Sequence, residues 1–252
     1  MDEILFHRYL IYSLFGLAGF VLVYSIFVPA PYGRYKRPWW SGPDLPSWLA
    51  WMLMELPQPV GFCICFALAE QQANLLALAF LSIWMFHYSY RTFIYPFLPR
   101  ASSMALAVVA MGFVLNCAFS YANGRWLFSL GPSRDSSWFF DLRFILGLIL
   151  FFSGWTLCTV SDAKLRRLRK SGEKGYQIPR GWAFRWVSSP NYLGELIMWL
   201  GWSLATWSLA GLAIAAISAA NLIPRAWHNH RWYREKFPDY PPERKALVPF
   251  VF

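Results

Sequence analysis

Seven stretches of roughly 20 mostly apolar residues occupy this 252-residue sequence, near 5–28, 48–68, 74–95, 103–121, 141–161, 191–208 and 210–230. Each is about as long as a helix must be to cross the hydrocarbon layer of a bilayer. In lipid the backbone has to satisfy its own polar groups, which helices do within one segment. The expected architecture is therefore all-α, a polytopic membrane bundle of seven transmembrane helices forming a single domain over 1–252. The break near Ser208 decides the count, because without it 191–230 is one long bent segment. Charged residues make up 14% of the chain, against about 25% in ordinary soluble domains. Its 22 Phe, 15 Trp and 13 Tyr suit a bundle that meets lipid and the headgroup layer. The first run lacks a small-residue cleavage site and reads as a retained helix. Pro29, Pro31, Pro38, Pro43 and Pro46 predict a non-helical first connection.

Net charge is +10, which would admit nucleic acid, but the basic residues lie between the apolar runs and not along an amphipathic face. Nucleic-acid binding is set aside on that ground, and no obligate protein partner is evident. With seven helices, nineteen of the 23 Lys and Arg fall on one side, leaving Arg8, Arg125, Arg134 and Arg143 on the other. The positive-inside rule then puts the C-terminus in the cytosol and the N-terminus outside. The host membrane would be the inner membrane in a bacterium or the endoplasmic reticulum in a eukaryote. Cys63, Cys65, Cys117 and Cys158 lie within apolar runs at spacings that suit neither zinc nor disulfides, so no metal is expected. Neither GxGxxG after a strand nor GxxxxGK[ST] occurs, so any nucleotide must be held in another way.

Polar residues embedded in the apolar runs carry the functional information, since an ionisable group at membrane depth is costly. Glu55 can be an interfacial carboxylate paired with an Arg such as Arg91. It can equally be a buried carboxyl that stays protonated and donates to a substrate carbonyl. Tyr88, in the polar run His87–Thr92, is either a satisfied interfacial ring or a donor to an oxyanion in a dry cavity. The basic run from Asp162 to Lys170 is either a stop signal or a clamp for phosphates. Asn191 and Glu195 share a helix face, as do Arg225, Asn229 and Tyr233, which step by four. His228 and His230 point apart on a helix and make a poor metal pair.

Taken in order, these motifs resemble the steroid 5α-reductase family. The resemblance rests on Glu55-Leu56-Pro57, on His87-Tyr88 with Arg91-Thr92-Phe93, and on Ser161-Asp162 leading into Leu165-Arg166-Arg167-Leu168-Arg169. It continues through Tyr176-Gln177-Ile178-Pro179, Asn191-Tyr192-Leu193-Gly194-Glu195, Ala205-Thr206-Trp207-Ser208 and Arg225-Ala226-Trp227-His228, and closes with Asp239-Tyr240-Pro241 through Phe252. It implies a seven-helix membrane fold that holds NADPH in a polar cavity open to the cytosol and admits a steroid from lipid. By the same resemblance Glu55 and Tyr88 meet the 3-keto oxygen of a 3-oxo-4-ene steroid. Asp162, Arg169, Tyr176, Asn191, Glu195, Arg225 and Tyr233 then meet the cofactor. Asn229 departs from the His of vertebrate members, and Cys158 from their Asn.

The stretch Pro190-Asn191-Tyr192-x-Gly194-Glu195 also resembles a motif of integral-membrane methyltransferases that use S-adenosylmethionine. That reaction is one alternative, and a non-enzymatic transporter with polar residues along its pathway is another. The Glu55 and Tyr88 motifs favour the reductase.

Overall fold

A computed structural model describes residues 2–29, 35, 42–69, 74–98, 103–170 and 176–252, without the side chains of 169 and 170. It is mostly helical. Helix α1 spans Glu3–Phe27, α2 Ser47–Glu55, α3 Pro57–Ala67 and α4 Leu75–Ser89, the last continued by a π-turn at Tyr90–Ile94. Helix α5 covers Leu106–Arg125, α6 Leu142–Lys170, α7 Pro190–Thr206 and α8 Leu209–Lys236. Two three-residue strands, β1 at Asp44–Pro46 and β2 at Ser103–Ala105, pair antiparallel with Leu45 opposite Met104. They are the small departure from an all-α chain. Most of the proline-rich first connection lies outside the described residues.

Among the described residues, five segments are long and apolar enough to cross a membrane: Glu3–Phe27, Ser47–Ala67, Leu106–Leu130, Leu142–Leu168 and Leu209–Lys236. Helices α2 and α3 share one of them, because Leu56 keeps right-handed helical angles and Pro57 sits at the first position of α3, where a missing N–H costs nothing. Helices α4 and α7, with 15 and 17 residues, occupy the two remaining apolar windows. Helix α7 starts on Pro190 and stops where Trp207 turns left-handed at φ 42°. Ser208 then opens α8 by accepting from the Gly211 N–H at 3.0 Å, which makes the break a turn followed by an N-cap.

The chain groups into two compact units, one of Met1–Ser13 with Ala30–Asp141 and the other of Leu14–Pro29 with Leu142–Phe252. In the first, Phe62 stacks on Trp84 at 4.3 Å and meets Phe128 edge-on at 5.0 Å. Arg125 there holds Glu3 by two bonds of 2.7 and 2.9 Å, tying the start of α1 to the end of α5. In the second, α6 and α7 run antiparallel along a seam of small residues. A Cβ on Gly147 would strike the Ala205 backbone, one on Gly201 that of Phe151, one on Gly154 that of Met198, and one on Gly194 that of Cys158. Close backbone approach of this kind is how membrane helices gain packing energy without a hydrophobic drive. Following the same register one turn further brings Asp162 to Asn191.

Candidate functional site

In the first unit the site is built around Glu55, buried at the end of α2. Arg91 donates to its Oε1 from Nε at 2.9 Å. The guanidinium lies 4.8 Å from the ring centres of both Trp51 and Tyr95, which meet each other edge-on at 5.6 Å, so it packs against an aromatic corner. It projects from the π-turn that follows α4, a local widening often found at functional sites. The interfacial ion pair and the buried carboxyl are thus combined, since Glu55 is both buried and partnered by Arg91. Tyr88 is also buried, its ring 4.9 Å from Trp84 and 4.7 Å from His87.

One turn beyond Glu55, the fully buried Gln58 donates from Nε2 to Asn116 Oδ1 at 2.7 Å, and Asn116 Nδ2 donates to the Met54 carbonyl at 2.6 Å. The second bond fixes which way both amides face, and it leaves Gln58 Oε1 a buried acceptor without a hydrogen-bond donor among the described residues. The open depression lined by Asn74, Ser133, Arg134, Asp135 and Trp138 contains none of the expected site residues.

In the second unit, Asn191 Nδ2 donates to Asp162 Oδ1 at 3.0 Å, which joins two of the expected cofactor residues across the α6–α7 seam. Arg225 is buried and donates to the Tyr192 hydroxyl at 3.0 Å, beside Asn191 on α7. Glu195 is half-buried one turn along the same face. The stripe Arg225, Asn229 and Tyr233 is buried throughout. Tyr176 and Tyr233 both pack edge-on against Trp232, at 4.9 and 5.1 Å. Arg169 belongs to the last turn of α6, and its side chain falls outside the described residues. Cys158 packs its backbone on Gly194, which accounts for a compact side chain there.

The histidines have other work. His228 meets the Ser25 carbonyl at 3.1 Å, and His230 meets the Ser188 hydroxyl at 2.7 Å. No group of metal-ligating side chains forms among the described residues.

Two features escaped the sequence reading. Ser188 is a hub that joins His230, the Tyr240 hydroxyl at 2.7 Å and the Lys245 carbonyl at 3.1 Å, fastening the segment after α8 to the approach of α7. Arg244, counted by charge among the solvated basic residues, is only 4% exposed. Among the described residues its Nε and Nη1 have no hydrogen-bond partner, and its guanidinium lies 5.1 Å from the Tyr240 ring centre. Tyr240 stacks in turn on Tyr233 at 5.3 Å. A guanidinium buried with unused donors is costly unless an anion completes it.

Comparison with known proteins agrees with the order of motifs. Residues 102–252 match the family model described as 3-oxo-5-alpha-steroid 4-dehydrogenase. The chain is 39% identical to a Solanum lycopersicum protein named steroid 5-alpha-reductase DET2, covering 100% of this chain and 98% of the relative. It is also 39% identical to 3-oxo-5-alpha-steroid 4-dehydrogenase 1 of Rattus norvegicus, over 100% of this chain and 97% of the relative. The Homo sapiens enzyme 2 of the same name is 39% identical over 89% of each chain.

Proposed function

We propose, because this chain belongs to the steroid 5α-reductase family, that it reduces the carbon–carbon double bond of a 3-oxo-4-ene steroid to the 5α-dihydro product with NADPH. The full-length likeness to reductases of plants and mammals carries this reading. The proposal takes α4 with its π-turn and α7 as two further membrane crossings, and the more basic side as cytosolic. The host membrane is the inner membrane of a bacterium or the endoplasmic reticulum of a eukaryote.

The second unit fits a dinucleotide phosphate. Buried Arg225 and Arg244 supply positive charge, and the unused Nε and Nη1 of Arg244 suit phosphate oxygens. Asn191, oriented by Asp162, and Glu195 offer hydrogen-bonding groups, Tyr176 and Tyr233 offer aromatic faces, and Arg169 adds a cation from α6. NADPH, when bound, supplies the hydride for the β-carbon of the enone.

Residues of the first unit act on the carbonyl. As the β-carbon gains its hydride, the double-bond electrons move toward the 3-oxygen, and Glu55 and Tyr88 donate hydrogen bonds to that developing enolate. A Glu55 carboxyl that accepts from Arg91 at Oε1 donates through a proton on Oε2. The packing of Arg91 against Trp51 and Tyr95 keeps the carboxyl aimed, so little reorganisation is needed during reaction. A proton from water or a nearby acid then completes the α-carbon. Turnover of a panel of 3-oxo-4-ene steroids by the purified protein with NADPH tests the reading. Products heavier by two hydrogens with 5α stereochemistry are expected, and failure with every enone would remove it.

A further inference from the structure

The segment 237–252 balances Arg244 and Lys245 with Asp239 and Glu243, and its apolar residues divide into two sets. Leu247 is buried among Leu196, Leu222 and Ala226, whereas Phe250 and Val251 are 81% and 77% exposed. The segment is firmly tied. Lys245 N–H donates to the Trp186 carbonyl at 3.0 Å, Ser188 N–H donates to the Lys245 carbonyl at 2.9 Å, and the Leu247 and Val248 N–H groups donate to the Phe252 oxygen at 2.7 and 2.6 Å. A well-tied backbone therefore holds two large apolar side chains outward.

Backbone angles sharpen the point. Among the described residues, three other than glycine have positive φ, and all are exposed aromatics: Trp182 at 51°, Trp207 at 42° and Phe250 at 66°. A bulky residue in the left-handed region is strained. None of the three turns its ring into the protein core, although Trp207 meets the Arg143 guanidinium, 5.1 Å from its ring centre.

The length of α8 points to a neighbour outside the protein for the exposed rings near its two ends. Trp207 precedes the helix, and the rise from Leu209 to Trp227 is roughly 27 Å at about 1.5 Å per residue, close to the ~30 Å of a bilayer's hydrocarbon layer. Trp227 thus marks the second edge of that layer, where aromatic side chains collect. Phe252 stacks on Trp227 at 5.9 Å with its plane tilted by 17°, which sets the segment 245–252 at the same depth. The half-exposed Trp182 and Trp186 belong to the stretch that Lys245 pairs with, and Arg180, Arg185 and Arg231 are exposed around it.

We propose that Trp182, Trp186, Phe250 and Val251 lie in the headgroup–acyl boundary of the bilayer, so that 245–252 is an interfacial anchor and not a solvated tail. Its partner is phospholipid. The lipid face of α8 continues through Trp227 and Phe252 into this patch, and the exposed Arg185 beside Trp186 reaches headgroup phosphates, whereas Arg180 is paired with Asp239. Because Lys245 is paired beside Ser188, the anchor also fixes the approach to α7 and Asn191. The inference rests on membrane insertion and is independent of the reaction proposed above.

The test uses the full chain in phosphatidylcholine nanodiscs, with an environment-sensitive fluorescent amino acid at position 250 and, as a solvated reference, at 239. Asp239 is an exposed ion-pair partner of Arg180. A nitroxide on the upper acyl chain should quench the probe at 250 several-fold more than that at 239, and aqueous iodide should do the reverse. Iodide reaching 250 as readily as 239 overturns the proposal. The unsubstituted chain provides a second measurement, cross-linking to a phosphatidylcholine with a photoreactive group near the headgroup. Adducts on 248–252 are expected, and their absence while α8 is labelled overturns it as well.

Discussion

Arg91 donates to Glu55 at 2.9 Å while its guanidinium packs against the edge-on pair of Trp51 and Tyr95, so the group that orients the Glu55 carboxyl is itself held in place. Replacing Arg91 with Met removes the donor to the buried Oε1 of Glu55. A stability loss of about 1–3 kcal/mol is expected, together with loss of turnover. Glu55→Gln keeps an acceptor for Arg91 and should leave stability nearly unchanged while turnover falls by about 10²-fold or more. Thermal unfolding and steroid kinetics on the two variants check this, and normal turnover in Glu55→Gln would take Glu55 out of the mechanism.

Tyr88→Phe retains the ring packed on Trp84 and His87 but loses the hydroxyl. If the hydroxyl donates to the enolate, turnover drops by about 10²-fold, with the Michaelis constant for NADPH little changed. A variant as active as the parent would show that the ring alone is needed.

Arg244→Gln gives a prediction with two signs. Removing a buried cation whose Nε and Nη1 lack partners among the described residues should leave the ligand-free protein as stable as before or more so. The rise in unfolding temperature caused by NADPH should shrink, because binding to the native state is what produces it. Parallel melting curves with and without NADPH read both. An unchanged NADPH effect would assign Arg244 a different role.

Arg169→Ala should raise the Michaelis constant for NADPH more than that for steroid, and Asn191→Ala should weaken NADPH binding without altering membrane insertion, since it removes no topogenic charge. If 162–190 serves only as an anchor, neither effect follows.

Gly194→Ala places a methyl group against the Cys158 backbone. Neither helix can yield locally, so destabilisation of about 1–3 kcal/mol is expected from overpacking. The Asp162–Asn191 pair, one turn away, should loosen with it and weaken NADPH binding. A variant with parental melting and parental affinity would mean that the seam is slack.

What sequence revealed and what it hid divide along physical lines. The apolar windows are visible because bilayer-length runs have few other uses, whereas the break near Ser208 is faint in one long apolar stretch and takes its form, a left-handed Trp207 before an N-cap, from the structure. The partnership of Glu55 and Arg91 was legible as charge pairing. Arg244 was not, because a count of basic residues treats each as solvated. Its burial depends on the pairing of Lys245 with Trp186 and Ser188, far away in the chain. Strands β1 and β2 are only three residues each and carry no alternation to recognise. The Asp162–Asn191 bond required the register of α6 on α7, which the glycines set and which neither helix displays alone.

Isotope transfer tests the central claim most directly. The purified protein in lipid nanodiscs is given a 3-oxo-4-ene steroid and NADPH carrying deuterium at one or the other face of the nicotinamide C4. The account predicts a 5α-dihydro product with one deuterium on the former β-carbon from one labelled cofactor and none from the other. A product without deuterium from either cofactor, or no product from any enone tried, would contradict it.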